Sequence, residues 1–240
     1  MKRLLLPALL LTTLTACTAA PAGTRPAAAP TPTPASTPAP TAAPALADAL
    51  TPEEKIGQLF IIRPDALDLT LPQETINDAK ADGVTMLTDA MRETLQAYPV
   101  GGICQFGKNI TDPEQLAQFN ADLQAASRTP LFIAVDEEGG AVARLANHPA
   151  FDLPQYESAA AVGASGDPAD ACAMGQTIGA YLKEYGFNMD FAPDADVNTN
   201  PDNPIIGTRA FSSDAANAAE MAAAAADGKF IVQYFFLLVF

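Results

Sequence analysis

Asp136, Glu137 and Glu138 follow one another in LFIAVDEEGGAVARL, the stretch from Leu131 to Leu145, and Arg144 stands just beyond them. An ionised carboxylate only accepts hydrogen bonds and an arginine fork only donates them, so together they can grip a ligand that does both. The residues before Asp136 are apolar and partly β-branched, as in a strand buried on both faces, and Gly139 and Gly140 give the backbone room to turn. Ligands of parallel α/β folds bind where strands finish. Charge at such a strand end marks this loop as a candidate for recognition or catalysis. A second acidic set, Asp190, Asp194 and Asp196, follows another strand-like run, and Arg209 comes after it.

The elements that must position these residues alternate in type. Thr51-Pro52-Glu53-Glu54 forms a capping box that opens a helix through Ile56, Leu59 and Phe60, leading into a short strand near Leu59 to Ile62. Pro64 to Tyr98 reads as an insertion with helical patches at 73–80 and 89–97. Val100 to Phe106 is a strand, Gly107-Lys108-Asn109 its loop, and Thr111-Asp112-Pro113-Glu114 a second capping box before a helix with Leu116, Phe119 and Leu123 on one face. Asp167-Pro168 opens a further helix carrying Met174, Ile178, Leu182 and Tyr185, closed by Gly186, and Phe187 to Phe191 is the next strand. Ser212-Ser213-Asp214 begins an alanine-rich helix that the pattern ends at Gly228. Strands alternating with helices imply parallel pairing through right-handed crossovers, so the fold class is α/β. Polar loops after each strand favour a (β/α) barrel, and no Gly-rich phosphate loop supports a nucleotide-binding sheet.

The chain carries 28 acidic and 13 basic residues, a formal net charge of -15, which argues against nucleic acid or an anionic membrane surface as a partner. Its N-terminus has Lys2 and Arg3, an apolar run from Leu4 to Leu11, and Leu14-Thr15-Ala16-Cys17, which describe an export signal over 1–16. The Leu-Thr-Ala-Cys order resembles a bacterial lipobox and implies lipidation of Cys17, with a cell-surface or periplasmic protein anchored to the membrane. Ordinary secretion with an incidental Cys17 is the alternative. Residues 17–45 are rich in Ala, Pro and Thr and read as a spacer. Cys104 and Cys172 lie in apolar runs and are expected as buried free thiols. No Cys/His cluster has metal-ligand spacing, no cofactor is implied, and His148 is read as a loop residue.

Four stretches, TPEEKIGQLF, PVGGICQFGKNI, PLFIAVDEEGGAVARL and NMDFAPDADVNTNPDNPIIGTRAFSSD, together resemble the N-terminal barrel domain of glycoside hydrolase family 3, in its bacterial β-N-acetylhexosaminidase branch. The resemblance implies a (β/α)8 TIM-barrel fold of which 46–228 covers about the first half, and hydrolysis of terminal N-acetylglucosamine from peptidoglycan- or chitin-derived glycans. It assigns Asp136, Arg144 and Arg209 to gripping the terminal sugar. Without the family, Asp136 suits a loop cap equally well, and the two arginines suit surface ion pairs. Glu137 and Glu138 receive no catalytic part, since successive residues point apart. Asp190, Asp194, Asp196, Asn198 and Asn200 are read as fixing loop geometry through side-chain to backbone bonds.

Two positions depart from the family pattern: Ala141 stands for a usual arginine and Thr208 for a usual aspartate, changes expected to weaken local electrostatics. After Gly228 the chain reads KFIVQYFFLLVF, an atypical apolar tail over 229–240. The resemblance places the acid/base histidine and the aspartate nucleophile beyond the end of this chain, so no catalytic residue is assigned. A retaining glycosidase needs both. A non-catalytic surface lipoprotein binding amino sugars or partner proteins, and a β-glucosidase-like member of the same family, remain as alternative readings.

Overall fold

Thr51 caps a helix as its pattern predicts. In a computed structural model that describes residues 48–232, its hydroxyl accepts from Glu54 N at 3.2 Å and its own N–H donates to the Glu54 carboxylate at 2.8 Å. The signal segment, Cys17, the spacer to residue 45 and residues 233–240 lie outside the described residues. The capped helix, α1 (Pro52–Gly57), ends before Leu59 and Phe60, the last residues of its apolar pattern. Ile56, Leu59 and Phe60 are largely exposed and flank an edge strand instead of filling the core.

Four strands, β1 (Ile61–Ile62), β2 (Gly102–Cys104), β3 (Phe132–Val135) and β6 (Met189–Asp190), pair in parallel in that spatial order. Ile103, Ile133, Ala134 and Val135 are fully buried, which is why these strands read as continuous apolar runs. A second, two-stranded antiparallel sheet joins β4 (Glu137–Gly139) to β5 (Val142–Ala143). The residue pattern carries no sign of this hairpin, which occupies the acidic segment read as a loop.

The insertion contains α2 (Gln73–Asn77) and α3 (Asp89–Ala97). The first stops short of Lys80 because Lys108 takes its terminal carbonyls: Nζ donates to Thr75 O at 2.8 Å and Asp78 O at 3.1 Å. Fully buried Asp65 completes the anchor, accepting from Val84 N at 3.1 Å and Asn109 Nδ2 at 3.0 Å. Helix α4 (Pro113–Ala126) is capped by Asp112, which accepts from Gln115 N at 2.9 Å, so the cap lies one residue later than the expected Thr111 box. Short α5 (Ala159–Gly163) leads to α6 (Pro168–Glu184), capped by Asp167 and closed by Gly186 at φ 81°.

The last helix, α7 (Ala215–Val232), corrects a boundary: it runs through Gly228 instead of ending there. A Cβ at Gly228 would sit 2.1 Å from Cys172 O, and one at Gly175 would sit 2.1 Å from Ala225 O, so α6 and α7 touch backbone to backbone. Glycine here serves contact between helices, and the helix propensity it sacrifices is about 1 kcal/mol. Cys104 and Cys172 are buried and neither is in a disulfide, as expected.

This packing gives a signed prediction. Gly228→Ala should lower stability by about 1–3 kcal/mol through overpacking, although alanine is the better helix former. A urea titration showing equal or higher stability would mean that the two helices do not meet at this glycine.

Candidate functional site

Strand alternation sorts the acidic run. Side chains on successive strand residues leave on opposite faces, so Asp136 and Glu138 face a cavity at the strand ends while Glu137 turns into the core. The cavity encloses about 520 Å³. Its polar lining is Asp136, Glu138, Asp194 and Asp196 with Arg144 and Arg209, and Val142, Phe191 and Ile206 supply apolar wall.

All three residues assigned to sugar contact thus reach one cavity. Arg144 Nη2 meets Asp136 Oδ2 at 3.1 Å, both partly exposed. Arg209 grips Glu138 side-on, Nε to Oε2 at 2.8 Å and Nη2 to Oε1 at 2.7 Å, and its Nη2 lies 3.4 Å from Asp194 Oδ2. The hydrogen bond from Glu138, followed by the attraction of that carboxylate and Asp194, raises the Arg209 pKa against burial. Its charge is therefore fixed, and its side-on edge is already engaged by Glu138, a partner that sequence reasoning missed.

Some polar capacity remains open. Among the described residues Arg144 Nε and Asp194 Oδ2 are buried without a hydrogen-bond partner, the 3.4 Å approach of Arg209 being too long and poorly aimed to serve. One is a donor and one an acceptor. Both lie beneath the cavity surface, and it is the partly exposed Asp136 and Arg144 side chains that a ligand bearing hydroxyls can meet.

Glu137 is fully buried and satisfied: Oε2 accepts from Leu145 N at 2.9 Å, and Oε1 accepts from Ala146 N at 2.9 Å and Tyr181 Oη at 2.8 Å. The hydroxyl of Tyr181 is raised well above its ordinary range, first by burial and then by the Glu137 charge, so it stays a donor. The expected structural role of Glu137 holds. Glu138, in contrast, is part of the cavity wall.

The second acidic set divides. Asp194 Oδ1 accepts from Asp196 N at 2.8 Å and Asn200 Oδ1 from Asp202 N at 3.1 Å, the side-chain turns anticipated from their types. Asp190 does something else. It accepts from Glu137 N at 3.0 Å and pairs at 2.5 Å with Lys229 Nζ, which also donates to Glu137 O at 3.2 Å. Burial, opposed by Lys229, raises the Asp190 pKa to about 7. Lys229 is itself 2% exposed, a placement hidden by its position beside the glycine read as a helix end.

Cys104 lies close enough for Asp136 to act on it. Burial, reinforced by that carboxylate, pushes its thiol up to about 12, so it remains protonated and supplies no nucleophile. His148 is a loop residue, its Nδ1 accepting from Ala150 N at 3.3 Å and its ring edge-on to Phe151. Ala141 and Thr208 are both exposed and neither lines the cavity, so the charges usual at these positions would stand in solvent, where they act weakly.

Comparison with known proteins follows the same geometry. The glycosyl hydrolase family 3 N-terminal domain matches residues 51–230. Beta-hexosaminidase A of Pseudoalteromonas piscicida is 36% identical over 134 residues, 54% of this chain and 22% of that protein. A glycoside hydrolase family 3 β-N-acetylglucosaminidase from Paenibacillus sp. str. FPU-7 superposes with a TM-score of 0.61 at 33% identity, covering 77% of this chain and 32% of that one. NagZ from Neisseria gonorrhoeae, solved with N-trifluoroacetyl-D-glucosamine, superposes with a TM-score of 0.54 at 28% identity, covering 61% and 44%. The chain spans less than half the length of each of these relatives. Their likeness bears out the barrel-type α/β fold, here in part.

The buried ion pair generates a test. Asp190→Asn leaves the Lys229 ammonium without its carboxylate partner. Stability should fall by about 3–5 kcal/mol, and adding Lys229→Met should recover most of it. Chemical denaturation of both variants checks this; a double variant as unstable as the single one contradicts it.

Proposed function

The chain belongs to glycosyl hydrolase family 3, and on that premise we propose that its strand-end cavity binds the terminal N-acetylglucosamine of a peptidoglycan- or chitin-derived glycan. In this reading it is the sugar-gripping part of a β-N-acetylhexosaminidase-type glycosidase. One observation carries the proposal: Asp136, Arg144 and Arg209, contributed by separate segments, converge on one cavity in which the Asp136 and Arg144 side chains stay partly exposed. Vicinal hydroxyls of a pyranose are adjacent donor–acceptor pairs. A carboxylate takes their protons while guanidinium N–H groups meet their oxygens.

The roles divide by chemistry. Asp136 and Arg144 bind the hydroxyls, and Arg209, held by Glu138, supplies positive charge to a wall otherwise rich in carboxylates. None of the cavity residues is assigned as nucleophile or acid/base, the two groups that retention at the sugar carbon requires. The choice of an amino sugar draws support from the β-hexosaminidase names of the relatives and from the N-trifluoroacetyl-D-glucosamine bound by the gonococcal protein. Lipidation of Cys17, proposed from the Leu14 to Cys17 order, would hold the domain at the outer face of a membrane with residues 17–45 as tether.

Two measurements test this. Asp136→Ala should weaken N-acetylglucosamine binding by about tenfold or more, the loss of one charge-assisted contact, with glucose binding more weakly than the amino sugar to the unaltered chain. Equal affinities in titration calorimetry for both proteins would remove Asp136 from the site, and a preference for glucose would favour the β-glucosidase-like reading. In cells fed labelled palmitate, Cys17→Ala should abolish incorporation into this chain; persistent labelling would contradict the anchor.

A further inference from the structure

The arginine of the clamp has no rigid strand of its own. Arg144 follows the two residues of β5 and precedes Leu145 and Ala146, whose N–H groups both point at the Glu137 carboxylate. That carboxylate is fully buried and takes a third bond from Tyr181 on α6. Its backbone is held equally firmly, the N–H by Asp190 and the carbonyl by Lys229. Glu137 is therefore fixed through side chain and main chain. Its neighbours Asp136 and Glu138 face the cavity and contact the two arginines.

Resting on the sugar-binding reading above, we propose that Glu137 is a positioning residue for the sugar clamp, a buried acceptor that sets the Arg144 guanidinium against Asp136. It touches no ligand. It acts by fixing the two peptide groups immediately after Arg144, so the segment leaving β5 has one direction relative to the end of β3. Gln155 Nε2 holds the Ala146 carbonyl at 2.7 Å, and Asn147 Nδ2 holds the Gly140 carbonyl at 2.7 Å. Those bonds tie the turn from outside and leave the Leu145 and Ala146 N–H groups to Glu137. The device needs an acceptor oxygen for each of the two N–H groups. A glutamine keeps part of it: with its carbonyl oxygen in the place of Oε1 it still accepts from Ala146 N and Tyr181 Oη, while its amide faces the Leu145 N–H, donor to donor.

The closing experiment uses the full chain and three variants, Glu137→Met, Glu137→Gln and Tyr181→Phe. It reads N-acetylglucosamine affinity, the arginine Nε–Hε resonances and the unfolding midpoint. Glu137→Met keeps the volume and removes the acceptors. It should shift the Arg144 resonance and weaken sugar binding by about tenfold, while Glu137→Gln, which keeps one of the two N–H acceptors, should fall between Glu137→Met and the unaltered chain in both. A residue important only for stability would lower the midpoint and leave affinity and resonance in place. That pattern in Glu137→Met overturns the proposal. Should Glu137→Met fail to fold, Tyr181→Phe, which removes one of three bonds, must move the Arg144 resonance in the same direction; no movement also overturns it. If the unaltered chain binds no N-acetylglucosamine, the sugar-binding reading fails, and the Arg144 resonance still decides the role of Glu137.

Discussion

The buried pair of Asp190 and Lys229 constrains everything near the strand ends. Two charges taken out of water are tolerated only when their remaining hydrogen-bonding capacity is met, and here it is met by one residue, with Glu137 N on Asp190 and Glu137 O on Lys229. Three elements are joined at that point: β6 through Asp190, β4 through Glu137 and α7 through Lys229. The α7 backbone can come close enough because Gly228 and Gly175 leave no Cβ between the helices. Where Glu137 sits then bears on where its neighbours point: Asp136, between β3 and β4, and Glu138, on β4, line the cavity while Glu137 is buried behind it.

The cavity inherits its chemistry from that alternation. Its carboxylates outnumber its guanidinium groups, and each arginine is used differently. Arg209 makes a bidentate contact with Glu138 and approaches Asp194, so it serves as a fixed charge within the wall. Arg144 makes one contact with Asp136 and keeps about a third of its side chain exposed, so it has more to offer a ligand. Of the three sugar contacts implied by family resemblance, Asp136 and Arg144 are the pair with unspent capacity.

Much of this was readable from residue types. Apolar runs identified the parallel strands, most plainly β2 and β3, which are the most deeply buried, and Thr51 and Asp167 marked helix starts through their capping oxygens. Asp136, Arg144 and Arg209 were found through their motifs. What escaped were contacts made across the fold. The β4–β5 hairpin consists of very short strands containing charge and glycine, which match no strand pattern. Gly228 looked like a helix end because sequence shows a glycine without showing the neighbouring backbone. Lys229 looked like the start of an unrelated tail because its partner, Asp190, is remote in sequence and the burial of a lysine leaves no local signature. Period-two alternation, applied to Asp136, Glu137 and Glu138, would have separated the cavity residues from the buried one.

The central claim is that a pyranose is held at the strand ends by Asp136 and Arg144. A crystal structure of the chain soaked with N-acetylglucosamine tests it most directly. The account predicts a sugar in the cavity with hydroxyls bonded to the Asp136 carboxylate and the Arg144 guanidinium. A sugar bound elsewhere, or a cavity in which these two side chains turn away from the bound ring, would contradict it.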